Sequence, residues 1–355
     1  LSLNQLQISI TFALQKLLLM KLLFMKLIDE KFISMEIWLK AANLKLSFSD
    51  FEVINYGLIP RSNRCIFVIN ELPDLQARIQ VALFNILQEG DVQIRGFALR
   101  LPLDIQFVFT ANPEDYTNRG RLITPLKDRF GSQIRTHYPL EIETEMEIAE
   151  QEARPLEAEN ISVSVPEFMT EIVTTFSHIA RSSPQVNQRS GVSVRMTVTN
   201  YETLVANAAR RALQRGETHV VPRVSDLESL MSSSSGKIEI ESIEEGRDGQ
   251  IVGQMIKAAV LEVFKGRFSP EDLVGVVESF DTGTIVHTGD DVGSNDYADL
   301  LEGNAALAVA VSELTDSSEP ADLASAVELV LEGLHLSKRL NKEATGTRAT
   351  YRGRG

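Results

Sequence analysis

The sequence predicts an α/β fold, a mostly parallel sheet covered by helices, followed by an all-helical region. Three observations carry this expectation. Two short apolar runs, CIFVI from Cys65 and IQFVFT from Ile105, end on polar residues, Asn70-Glu71 and Thr110-Ala111-Asn112. Between them stand one pattern of helical period and one of alternating period. After Pro139 the chain turns helical and rich in glutamate.

Taken in order, GLIPRSNR (57–64) reads as a loop. CIFVI is a buried strand, β-branched and aromatic between turn signals. Pro73 opens a helix in which Leu75, Ile79, Leu83, Ile86 and Leu87 share one face, and Gly90 stops it. DVQIRGFALRLP alternates on both sides of Gly96 and predicts a hairpin. IQFVFTAN is a second buried strand, LITPLKDRF a short helix, and SQIRTHYP a third short strand. Helices follow over 141–159, VPEFMTEIVTTFSHIARSS, SVRMTVTNYETLVANAARRALQR, IVGQMIKAAVLEVFKGRF, AALAVAVSELTD and ADLASAVELVLEGLHLSKRL. The four-serine run within 225–236 reads as a loop. Thr288 to Asp299 is polar and acidic. The basic end reads as disordered, with a solvated tail weighed against contact with an acidic partner.

The 355 residues suggest two or three domains, and 43% hydrophobic with 24% charged residues is ordinary for a globular chain. A net charge of -14 argues against broad attraction to nucleic acid or anionic membrane, so neither is expected as a partner. The lone cysteine, Cys65, excludes an internal disulfide, fits a reducing, cytoplasmic setting, and reads as a small buried hydrophobe. The first 40 residues carry Lys16, Lys21 and Lys26 too often for a membrane span and show no signal-peptide cleavage site. They read as an atypical, truncated N-terminus or as an amphipathic surface helix. The expected organisation is 1–40 atypical segment, 41–140 partial core, 141–225 helical lid, 226–337 acidic helical region and 338–355 basic tail.

In parallel α/β sheets, sites gather at the carboxyl ends of strands, where both polar endings fall. Nucleotide hydrolysis needs an acidic group near Mg²⁺, a polariser for the attacking water, a sensor of the γ-phosphate and positive charge for the transition state. Glu71 suits the polariser. Asn70 precedes it where a carboxylate would balance the metal, and reaches Mg²⁺ only weakly, at second remove. Asn112 could orient water or touch the γ-phosphate. Arg129 could project to an adjacent subunit, and Arg195, opening a long helix, could reach a phosphate. Each has a plainer reading: a turn pair for Asn70-Glu71, a turn dipeptide for Asn112-Pro113, a local pair with Asp128 for Arg129, a surface arginine for Arg195.

Taken together, 41–138 resembles the AAA+ ATPases of the magnesium-chelatase and MoxR group, and more weakly so to about Gln214. CIFVINELPD resembles the Walker B strand, and NILQEGDVQIRGFALRLP the helix and hairpin insertion. FVFTANPEDY resembles the sensor 1 strand, TPLKDRFGSQI the arginine-finger segment and GVSVRMTVTNYE the sensor 2 helix. The resemblance implies part of a P-loop NTPase core with a helical lid, with ATP and Mg²⁺ as cofactors. It implies a homo-oligomeric ring, often hexameric, that remodels a partner protein, one with a metal-dependent adhesion (von Willebrand A-type) domain, or inserts magnesium. Glu71, Asn112 and Arg129 are then catalytic, while Asn70, Glu71, Asn112 and Arg195 line the nucleotide. The Walker B pair departs from the family as Asn70-Glu71, and no G-x-x-x-x-G-K-[ST] loop occurs. SSSSGKIEI, with Gly236-Lys237, reads as coincidence. The chain is therefore expected to bind ATP poorly. A degenerate, non-catalytic interaction protein is the alternative, and a sigma-factor activator a weaker one.

Overall fold

A computed structural model of the chain describes residues 57–93, 100–112, 122–154, 160–187, 190–240, 247–346 and 348–354. The expected N-terminal segment 1–40 and the tip of the hairpin lie outside the described residues. The fold is mixed α/β, mostly helical with small sheets. It forms two compact units, Leu1–Thr136 and His137–Gly355.

In the first unit, α1 (Leu58–Arg61) occupies the expected loop. Ile59 and Pro60 are buried, and the Ser62 hydroxyl donates back to the Leu58 carbonyl at 2.9 Å. Then come β1 (Ile66–Ile69), a 3₁₀ turn (Leu72–Asp74), α2 (Ala77–Glu89), β2 (Asp91–Gln93), β3 (Arg100–Pro102), β4 (Gln106–Phe109) and α3 (Thr124–Lys127). β1 and β4 pair in parallel, Ile66 opposite Gln106 through Ile69 opposite Phe109. β2 and β3 form the antiparallel hairpin arms.

Helix α2 packs Ile79, Leu83 and Ile86 against Ile69, Leu72, Leu122 and Leu126. Burying each such side chain contributes about 1.5–3 kcal/mol. Gly90 ends the helix at φ 65°, which a side chain would strain, and its N–H bonds the Ile86 carbonyl at 2.9 Å. Two expectations fail here. Cys65 is exposed, because it precedes the strand in the turn whose N–H bonds the Ser62 carbonyl. SQIRTHYP forms no strand: no described strand pairs with it, and Ser132 to Tyr138 are all exposed.

The second unit contains α4 (Ile142–Glu152), β5 (Ser162–Val163), α5 (Glu167–Ser182), α6 (Val194–Arg215), β6 (His219–Val220), a 3₁₀ helix (Val224–Ser229) and α7 (Leu230–Ser234). It continues with α8 (Asp248–Arg267), α9 (Val274–Asp281), β7 (Ile285–Gly289), α10 (Ser294–Gly303), α11 (Ala305–Ser312), α12 (Pro320–Leu336), β8 (Asn341–Thr345) and β9 (Arg348–Arg352). Helix α12 is buried on nearly all sides. It crosses α8 at Gly333, where an added Cβ would lie 2.1 Å from the Phe264 ring.

This unit is not all-helical. β5 pairs in parallel with β6, and β9 lies between β7 and β8 in an antiparallel sheet. The basic end is therefore ordered: Ala349 and Tyr351 bury one face of β9 in the core, which a disordered tail could not do. The serine run is helical, because its hydroxyls bond back to the preceding turn, Ser232 to the Ser229 carbonyl at 2.8 Å and Ser235 to that of Met231 at 2.6 Å. The expected boundary at 225 falls inside the 3₁₀ helix, and one core runs from Ala153 to Tyr351 across it. Among the described residues, no helix is long and apolar enough to cross a membrane.

Candidate functional site

The parallel pairing brings the two polar strand endings to the same end of the small sheet. Thr110 joins them. Its N–H donates to the Ile69 carbonyl at 3.0 Å, and its carbonyl accepts the Leu72 N–H at 2.9 Å, continuing the ladder past the strands. Its hydroxyl donates to Asn70 Oδ1 at 3.2 Å and accepts the Glu71 N–H at 3.0 Å. The sequence reading left Thr110 without a role. A polar, β-branched residue at the matching register of two such strands was the signal for it.

Glu71 is half-buried and sits at φ 51°, ψ 54°, the left-handed region. That conformation costs an L residue about 1–2 kcal/mol. It turns the chain from β1 into the 3₁₀ turn and leaves Glu71 at the tip of the sheet. Strain of this kind, held by a surrounding hydrogen-bond net, gathers at functional positions. Asn112 lies two residues beyond Thr110 on the β4 side and is exposed.

Arg129 lies elsewhere in the same unit. Next to it in the chain, Phe130 meets Phe109, the rings at a tilt of 38° with centroids 5.2 Å apart. The Arg129 guanidinium lies 4.8 Å over the Phe84 ring and donates to Gln88 Oε1 at 3.1 Å. It makes no pair with Asp128. Gln88 is in the last turn of α2. Gln80, also without a role in the sequence reading, ties the two regions. Its amide donates to the Leu75 carbonyl at 2.9 Å and accepts the Ile123 N–H at 3.1 Å.

Arg195 belongs to the second unit. It is exposed in the first turn of α6, after the N-cap Ser193, whose hydroxyl accepts its N–H at 3.2 Å. Its guanidinium has no hydrogen-bond or ion-pair partner among the described residues. The start of α6 is firmly held. Arg181 donates to the Val192 carbonyl at 2.9 Å, and to both oxygens of buried Glu145 at 2.5 and 2.7 Å. Thr197 donates to the same carboxylate at 2.5 Å, and His178 Nε2 lies 3.0 Å from it.

The chemistry available at the tip is one carboxylate, two neutral amides and a hydroxyl. That set suits the terminal-phosphate side of a magnesium nucleotide, since Mg²⁺ keeps several waters and takes one or two carboxylates with phosphate oxygens. It offers no protein-only metal cage. No group of three or more His, Cys, Asp or Glu that could hold a metal occurs among the described residues. A phosphate cradle is not among the residues assigned to the site.

The fold and site thus define an α/β protein with a polar cluster across two parallel strand tips. No family model matches the chain. It is distantly similar to the magnesium-chelatase 38 kDa subunit. Identity to that of Cereibacter sphaeroides is 33% over 94 residues, 26% of this chain and 27% of the relative. Identity to that of Rhodobacter capsulatus is also 33% over 94 residues, 26% of each. The chain spans about a quarter of the length of these curated relatives. A solved structure of a presumed ATPase from Cytophaga hutchinsonii aligns over 64% of this chain and 72% of its own, at 17% identity and a TM-score of 0.26, too low to support anything further.

Proposed function

We propose that the chain is part of a magnesium-chelatase-like AAA+ ATPase, the portion running from Walker B through sensor 1 and the arginine finger to the helical lid. The observation that carries the reading is the Asn70–Thr110–Glu71 hydrogen-bond cluster across the tips of parallel neighbours β1 and β4. When bound, Mg-ATP supplies the phosphoanhydride and its charge neutralisation. The chain's own residues act around it. Glu71 accepts a proton from the attacking water, and Asn112 orients that water or the γ-phosphate. Arg129, resting on Phe84 and Gln88 of α2, serves a neighbouring subunit's nucleotide in a homo-oligomeric ring. Arg195 contacts phosphate from the lid. The output is remodelling of a partner protein or magnesium insertion.

A second reading has an observation in its favour. Asn70 is an amide that accepts the Thr110 hydroxyl, where magnesium handling calls for a carboxylate. It makes the domain a non-catalytic assembly module. Glu71→Gln separates the two. In an ATP-hydrolysing assembly that contains this chain, it should leave affinity intact and lower turnover about 10²–10⁴-fold. Turnover unchanged by Glu71→Gln would overturn the ATPase reading.

A further inference from the structure

The ordered basic end of the second unit is a separate feature. Residues 338–354 carry Lys338, Arg339, Lys342, Arg348, Arg352 and Arg354 against one acid, Glu343. The rest of the unit, 137–337, carries 13 Lys and Arg against 35 Asp and Glu. A segment of net charge +5 is thus folded onto a body of net charge -22. The sheet fixes where these charges go. Val286, Thr288, Ala349 and Tyr351 face the core, so Ile285, His287, Arg348 and Arg352 face out. On this face Ile285 stands opposite Arg352 and His287 opposite Thr350. Ile285 is 58% exposed.

Lys342 is held by buried Glu332 at 2.7 Å, but the outward-facing arginines are only loosely engaged. Arg348 lies 3.5 Å from Asp291, both about half exposed, and Arg352 pairs with exposed Glu343. Exposed pairs of this kind contribute little and exchange readily. Lys338 and Arg339 side chains have no hydrogen-bond or ion-pair partner among the described residues. Among the described residues, strand β8 pairs with β9 on one edge and with no strand on the other.

We propose that the outer face of the β7–β9–β8 sheet docks an acidic, extended segment of a partner protein. Carboxylates of the segment replace Asp291 and Glu343 on Arg348 and Arg352, and its backbone lies along the unpaired edge of β8. Addition of a strand to a sheet edge is an established way to bind extended peptides. A polypeptide is favoured over nucleic acid because, among the described residues, the outer face carries no Phe, Tyr or Trp ring on which bases could stack: Tyr351 points into the core, and the exposed ring is the His287 imidazole.

The test is fluorescence anisotropy of the full chain with a labelled twelve-residue Glu/Asp peptide, at low and near-physiological salt. Saturable binding that weakens with salt is expected. Arg348→Glu with Arg352→Glu should weaken it about tenfold or more, since like charges then face each other. Lys257→Glu, an exposed reversal on the acidic body, should not. Circular dichroism checks that the variants remain folded. Failure of the peptide to bind, or binding indifferent to the double reversal, overturns the proposal. So does an oligo-dT of equal length binding as tightly, or sedimentation showing that the face instead joins two copies of the chain. None of these outcomes bears on the nucleotide reading, which concerns the other unit and α6.

Discussion

Two carboxylates set the two units of this molecule apart. Glu145, in the second unit, has no solvent exposure and is held by Arg181, His178 and Thr197. Glu71, in the first, is half-buried at the tip of a two-stranded sheet, on strained backbone beside Thr110. The cores behind them differ as well. Among the described residues the first unit's cluster is small, and Ile66 in β1 is 69% exposed. The second unit's core links nearly all its helices and its three-stranded sheet. A charge buried and saturated with donors holds structure together. A half-buried carboxylate at a sheet tip is where the proposed nucleotide reading sets its chemistry.

The largest effect that would sharpen this contrast is Arg129→Ala. In an assembled, ATP-binding form it should lower hydrolysis by about 10³–10⁵ while leaving binding and stability nearly unchanged. Equal turnover in a phosphate-release assay would remove the arginine from the site.

Next comes Glu145→Ala, which strands Arg181 with only 11% exposure. Loss of one partner from a buried pair should destabilise the second unit by about 3–5 kcal/mol in urea unfolding. A loss below about 1 kcal/mol, typical of surface pairs, would break the comparison.

Thr110→Val should cost about 1–3 kcal/mol, because it removes the acceptor of the Glu71 N–H and the donor to Asn70. An unchanged urea midpoint would show that the tip cluster does not hold the two strand ends together.

The smallest effect is a pH dependence confined to the second unit. Burial, reinforced by Glu328, raises the Tyr297 phenol well above its ordinary value, and burial with Glu332 does the same for Tyr351. The folded state therefore holds these protons more tightly than the unfolded chain. Their stabilisation is complete below about pH 10, where unfolded tyrosine begins to ionise, and is lost as pH rises toward the folded values. Thermal unfolding from pH 8 to 11 should show this decline, and Tyr297→Phe should flatten it.

Much of the fold was legible in the order of residues. The α2 stripe at Ile79, Leu83 and Ile86 with its Gly90 stop, the hairpin arms and the long helices α5, α6, α8 and α12 follow from periodicity and capping, which are local. The strand-tip placement of Asn70, Glu71 and Asn112 followed from strands that end on polar residues. Less legible were elements that owe their form to distant partners. The serine run is helical because its hydroxyls cap the preceding turn and reach Asn200, with Ser233 Oγ 2.6 Å from its Oδ1. The basic end folds because Tyr351 meets Glu332, whose carboxylate accepts its hydroxyl at 2.5 Å.

The sequence by itself determined the local period of the longer helices α2, α5, α6, α8 and α12, because it depends on side-chain type and spacing over a few turns. Tertiary structure alone decided that Thr110 binds the two strand tips together, that Arg129 rests on Phe84 and Gln88, and that the cationic end becomes a sheet. Those outcomes depend on pairings across tens of residues, which local pattern does not encode.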